Sequence, residues 1–175
     1  MKRVLSILAG VFLIAILSGQ TTHYVGESFG GGIVFYVYDG GKHGLITASV
    51  DKSTRIQRQK STALAANEVA DAIGKGKFST ESIGTISGSG AEYDDTQVYF
   101  NYQDSYYSDW YLPSKYELSL LYLNRAVLGG YNDFAKGWSS IEDGRVNAWF
   151  TSFATGGTYS NGHDDIEYIR VHRRF

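Results

Sequence analysis

Residues 108–118 read Ser-Asp-Trp-Tyr-Leu-Pro-Ser-Lys-Tyr-Glu-Leu, and Pro113 within them is the only proline of the 175-residue chain. Its locked φ makes a rigid corner of the aromatic stretch before it. Ser114 and Glu117 follow in the S-x-x-E spacing of a capping box. In that box the Ser hydroxyl accepts from the amide three residues on, and the Glu carboxylate reaches back to the Ser amide. An apolar run comes next (Leu118, Leu120, Leu121, Tyr122, Leu123), then Val127 and Leu128, and Gly129 supplies a stop. These signals predict a helix over 114–128 that starts abruptly after an aromatic corner.

The N-terminus predicts export. Lys2 and Arg3 precede an apolar stretch over 4–17, short of the roughly 20 residues a membrane-spanning helix needs. Ser18, Gly19 and Gln20 then suit a cleavage region, so residues 1–20 are expected to be a signal peptide, with maturation near Gln20 or Thr21. An uncleaved anchor is the alternative. No cysteine follows the apolar stretch, which excludes a lipid-anchored lipoprotein. The absence of cysteine also excludes a thiol nucleophile, a zinc–thiolate site and an iron–sulfur cluster. Removing Lys2 and Arg3 leaves 14 basic residues against 18 acidic ones, a net charge of −4, which argues against bulk capture of nucleic acid or anionic membrane.

Residues 21–175 read as one domain. The chain is rich in Gly (21) and Tyr (14) and almost free of proline, a composition that suits a loop-rich α+β fold. Six β-formers, Ile33-Val34-Phe35-Tyr36-Val37-Tyr38, close on Asp39-Gly40-Gly41 and are answered by a strand over 43–48, which predicts a hairpin. The Gly30-Gly31-Gly32 run precedes a strand, and no Gly-Lys-Ser/Thr follows it, so it reads as a bulge or close backbone approach and not a phosphate loop. Residues 51–62 look like an exposed basic loop, 61–73 an Ala-rich helix, and 74–93 a long polar loop. Residues 94–103 leave helix and strand both open. Three further strands are expected at 136–139, 147–153 and 167–175, with turns at Gly156-Gly157 and Asn161-Gly162. In the last strand Ile169, Val171 and Phe175 alternate with Arg170, His172 and Arg174.

Catalytic signals are thin. His23, His43, His163 and His172 are dispersed, and no G-x-S-x-G, H-E-x-x-H or P-loop occurs. The chain is therefore not expected to be an enzyme, and no cofactor or metal is expected. Acidic loops such as Glu92-Tyr93-Asp94-Asp95, Glu142-Asp143-Gly144 and 161–165 could offer oxygens to calcium, but Asn, Asp and Gly dominate turns in any case.

Several separated segments stand in a telling order. They are Val25-Gly26-Glu27; Gly30-Gly31-Gly32-Ile33-Val34-Phe35-Tyr36-Val37; His43-Gly44-Leu45-Ile46; and Asp109-Trp110-Tyr111-Leu112-Pro113-Ser114-Lys115 with Glu117-Leu118. Trp138-Ser139-Ser140-Ile141-Glu142, Ala148-Trp149 with Phe153, and the terminal Val171, Arg173 and Phe175 complete the set. Together they resemble the C-terminal domain of bacterial collagen-like adhesins, the Lcl type, a distant cousin of formylglycine-generating enzymes. The resemblance implies a C-type-lectin-like fold: paired N- and C-terminal strands, two or three helices, a small second antiparallel sheet and long loops. Two features depart from the pattern. No cysteine stands upstream of the corner, and no collagen-like tract precedes the domain in this sequence. The calcium–sugar motifs of lectins need a proline in the long loop, and Pro113 is already used.

The function that the resemblance implies is that of a non-catalytic, adhesin-like module, secreted, periplasmic or at the cell surface, that binds a glycan or a surface protein. The net acidic charge argues for no nucleic acid partner and the short apolar stretch for no membrane span after signal cleavage, and homo-oligomerisation is left open. The alternatives are an envelope enzyme or accessory protein, or a structural surface component. The implied fold places residues 139–147 in a variable surface loop. Ser139, Glu142, Arg145 and Asn147 are accordingly ligand-binding candidates, with Trp138 beside them. Trp110 and Trp149 read as core. Arg170, His172 and Arg174 form a strand face that could meet an anionic glycan.

Overall fold

The computed structural model describes residues 21–49, 53–57, 71–87, 106–129, 136–144, 146–162 and 165–175. The first elements are β1 (Ser28–Phe29), β2 (Gly32–Tyr38) and β3 (His43–Thr47). Gly30 and Gly31 take φ of 59° and 85°, the two positive values that a tight β1–β2 turn requires. Gly32 has no room for a side chain, because a Cβ there would strike the Thr47 carbonyl of β3. The glycine run is thus a turn followed by a close backbone approach. Asp39–Gly41 closes the β2–β3 hairpin as a 3-10 turn.

The remaining elements are β4 (Ser53–Gln57), α1 (Lys75–Ser87), α2 (Lys115–Leu128), β5 (Lys136–Asp143), β6 (Asn147–Ser152), β7 (Thr158–Gly162), β8 (Ile166–Ile169) and β9 (His172–Arg174). One sheet runs β1-β2-β3-β9 and the other β4-β8-β5-β6-β7. All the pairings are antiparallel except that of β5 with β8. The class is α+β, with two helices among the described residues. The C-terminal strand does join the N-terminal sheet, but it pairs with β3. The second sheet is mixed and, with five strands, the larger of the two.

Two apolar clusters hold these layers. Val34, Ile46, Trp110, Leu112, Trp138, Phe150, Ile169 and Val171 form one. Phe35, Leu45, Leu118, Leu120, Leu121, Leu128 and Phe153 form the other. β2 and β3 give alternate residues to each, so the first sheet is the wall between them. α2 buries Leu118, Leu120, Leu121 and Leu128 of the expected apolar run, whereas Leu123 and Val127 are exposed. Ser114 caps it, both bonds of the capping box are present, and Gly129 ends it at φ 61°.

The strands over 33–38 and 43–47 also match expectation, but other segments differ. β4 crosses the stretch that reads as a basic loop. α1 occupies 75–87, where Gly, Ser and Thr suggest a loop. Gly76 and Thr80 among them serve contact. A Cβ on Gly76 would meet the Leu112 carbonyl, the Ser114 amide and the Glu117 carboxylate. The Thr80 hydroxyl donates to the Leu112 carbonyl at 3.3 Å and accepts from its amide at 3.0 Å. The helix lies against a backbone corner, and bulky apolar residues would hold it off. The predicted elements over 61–70 and 94–103 lie outside the described residues.

At the C-terminal end β7 adds an edge strand after the expected turn at Gly156-Gly157, and it takes in Asn161-Gly162, where a second turn is expected. The expected long strand over 167–175 divides into β8 and β9, which belong to different sheets. Residues 170 and 171 cross between them. Both sides of the crossing are covered, so Arg170 and His172 are buried along with Ile169 and Val171. Alternation identifies two sides; it does not show that one of them faces water.

Candidate functional site

The predicted binding residues do not converge on a surface. Residues 139–142 lie in β5 and not in a loop, and Trp138, Ser139 and Glu142 are buried there. Only 144–146 separate β5 from β6, with Asn147 half-buried at the start of β6. Arg145 lies outside the described residues. Of the three basic strand positions, Arg170 and His172 are buried and Arg174 is exposed. Of the tryptophans, Trp110 is core as expected, but the other two depart from expectation. Trp110 and Trp138 are core, whereas Trp149 is half-buried with the Lys115 ammonium 4.5 Å from its ring centre.

A buried, perturbed carboxylate is the usual mark of a reactive site. Glu117 is one, since burial pushes its pKa up against the pull of its hydrogen-bond donors. Its oxygens are taken, however. Oε1 accepts from the Gly74 amide at 2.8 Å and the Tyr111 hydroxyl at 2.9 Å, and Oε2 accepts from the Ser114 amide at 2.8 Å. Burial, and then the Glu117 charge, raise the Tyr111 pKa, so the phenol keeps the proton it donates. Asp71 accepts from the Tyr116 amide at 2.7 Å and the Ala72 carbonyl accepts from the Ser114 hydroxyl at 3.2 Å. The network bolts the 71–74 turn onto the start of α2, and its chemistry is structural.

A second fastening joins distant parts of the chain. The Arg173 guanidinium donates to both Asp109 oxygens, at 2.8 and 3.2 Å, and to the Gly30 carbonyl at 2.9 Å. It also lies 3.8 Å from the Tyr107 ring centre. The corner before Pro113, the glycine turn and the last strand therefore meet at one side chain.

An exposed set with recognition chemistry lies on one face of the first sheet. Tyr36, Leu45 and Arg174 are cross-strand neighbours in one row, and Tyr38 and His43 pair at the end of the hairpin. The Tyr36 and Tyr38 ring centres are 6.2 Å apart, and those of Tyr38 and His43 5.6 Å. Arg174 donates to the Tyr38 hydroxyl at 3.2 Å, and that bond raises the guanidinium pKa further. The guanidinium lies across Gly74, where a Cβ would come within 2.5 Å of Nη1. The tyrosines are half-buried, while His43 and Arg174 are exposed. The exposed Asp39 carboxylate lies 3.9 Å from the His43 ring.

Three tilted rings ending in a fixed cation can stack on a flat ligand and donate paired hydrogen bonds. The strip holds no nucleophile–base pair. Among the described residues no group of three or more His, Cys, Asp or Glu is placed to hold a metal. Of the sequence candidates only Arg174 belongs to the strip. Tyr36, Tyr38 and His43 were legible only as hairpin residues, although pairing that hairpin about Asp39-Gly40-Gly41 sets Tyr38 opposite His43. No family model matches this chain, and no curated protein matches it.

Proposed function

We propose that this chain is an exported, non-catalytic, adhesin-like module of C-type-lectin-like fold that binds a glycan or a surface protein on the Tyr36–Tyr38–His43–Arg174 strip. The strip itself carries the reading: it joins two half-buried tyrosine rings and the exposed His43 ring to an exposed cation that donates to the Tyr38 hydroxyl, without reactive chemistry. The charged leader with its apolar stretch supports export. The Arg173 fastening supports the resemblance, because three of the segments that carry it meet there.

A glycan array and a panel of surface proteins, probed with the chain in calcium and in chelator, test the proposal. Retention of a discrete subset of ligands is expected. Chelator should leave it unchanged, since the strip offers one acid, Asp39. Uniform absence of binding on both panels rejects the module reading, and hydrolysis or modification of a retained ligand rejects its non-catalytic part.

A further inference from the structure

His172 is 0% exposed, and among the described residues neither of its ring nitrogens has a hydrogen-bond partner. It stands at the start of β9, where the chain crosses between the sheets. Its backbone is held tightly, its amide donating to the Tyr111 carbonyl at 2.9 Å and its carbonyl accepting from the Tyr111 amide at 2.8 Å. Its ring centre lies 4.6 Å from that of Phe35 on β2, and Thr47 of β3 is its cross-strand neighbour. Neither of these residues carries a charge. From the corner, Tyr111 presents a phenol already committed to Glu117 of α2. The charge that acts on the imidazole is the cation Arg170, two residues before it. A protonated ring in this place would be a buried cation with no acceptor.

We infer that His172 is an acid-sensitive latch: neutral, it lets β9 seal the crossing between the sheets, and below neutral pH its protonation drives residues 169–175 to open. The direction follows from the packing, since burial and then Arg170 hold its pKa far below the ordinary 6.5, at about 3. Between those values the open segment takes up a proton that the closed one refuses, so opening is favoured as pH falls. Glu117 works the other way. Its pKa is raised in the folded chain, so protonation in acid favours the fold as a whole, and its hydrogen-bond partners Gly74, Tyr111 and Ser114 all lie outside 169–175. β9 also carries Arg174 of the strip. Acid should therefore release a ligand held there, a consequence that rests on the proposed function, whereas the latch itself does not.

Hydrogen exchange of the full chain, corrected for intrinsic rates, reads the opening with no ligand present. The protection of amides 169–175 should fall about a hundredfold between roughly pH 7.5 and 4.5, tenfold for each unit below the free imidazole value. His172→Phe and His172→Gln cannot take the proton, and should change no more than about threefold over that range. Equal loss in wild type and in either histidine variant overturns the latch, as does unchanged protection in the wild type. If neither variant folds, the wild-type imidazole decides by NMR: titration near its ordinary value, with protection intact, overturns it too.

Discussion

At the scale of the residue, the outcome depends on how many partners one polar group satisfies. Ser114 and Glu117 were legible from their spacing, and their capping bonds are present. The further bonds from Gly74 and Tyr111 to Glu117 were not legible, because they join turns 43 and 6 residues away that only folding brings together. Ser114→Ala should lower stability by about 1 kcal/mol. Glu117→Ala should lower it by roughly 3 kcal/mol, since two buried donors and one part-buried donor lose their acceptor and each buried orphan costs about 1–3 kcal/mol. Arg174→Ala should stay within about 0.5 kcal/mol of wild type, as exposed charges add little. Thermal denaturation of the three variants in parallel ranks them, and equal loss for Ser114→Ala and Glu117→Ala would contradict the network. Arg174 also shows what a pattern can carry. Alternation marked it with Arg170 and His172, but it alone reaches solvent, because the other two stand where the chain passes between sheets.

At the scale of the element, the hairpin and α2 were legible because each meets local requirements: turn glycines, β-branched and aromatic runs, a cap and an apolar stripe. α1 was not legible. Its stability comes from tertiary contact with the 112–117 corner, and a surface fitted to backbone is poor in the apolar signal by which helices are recognised. Gly76→Val should therefore be strongly destabilising, while the exposed Lys77→Ala should be nearly neutral. Urea midpoints separate the two, and equal midpoints would show that α1 does not press on the corner. β5 gives the complementary lesson. Its Trp138 sits at 1% exposure with its ring edge-on to Phe150, so Trp138→Ala should cost about 3–5 kcal/mol, the range for an aromatic truncation in a core. Unchanged melting of that variant would return Trp138 to the list of surface contacts.

At the scale of the whole molecule, the coarse class was legible, whereas the candidate strip was not. Class follows from composition and periodicity, but a site depends on which faces of the two sheets remain uncovered, and that is decided by packing. The burial of Arg170 and His172 also changes the expected electrostatics. A basic strand face would bind an anionic ligand with steep salt dependence. With Arg174 as its one fixed cation, the strip should respond only modestly when salt shortens the Debye length from about 10 Å to about 3 Å. The most direct test of the account is ligand retention by wild type and by the Tyr38→Ala/Arg174→Ala double variant on the same glycan and protein panels. Both substitutions fall at the surface of the strip. The double variant should lose at least about tenfold in affinity for every retained ligand, equivalent to roughly 1.4 kcal/mol, while melting near the wild-type temperature. Full retention by a folded double variant would place the binding surface elsewhere and contradict the central claim.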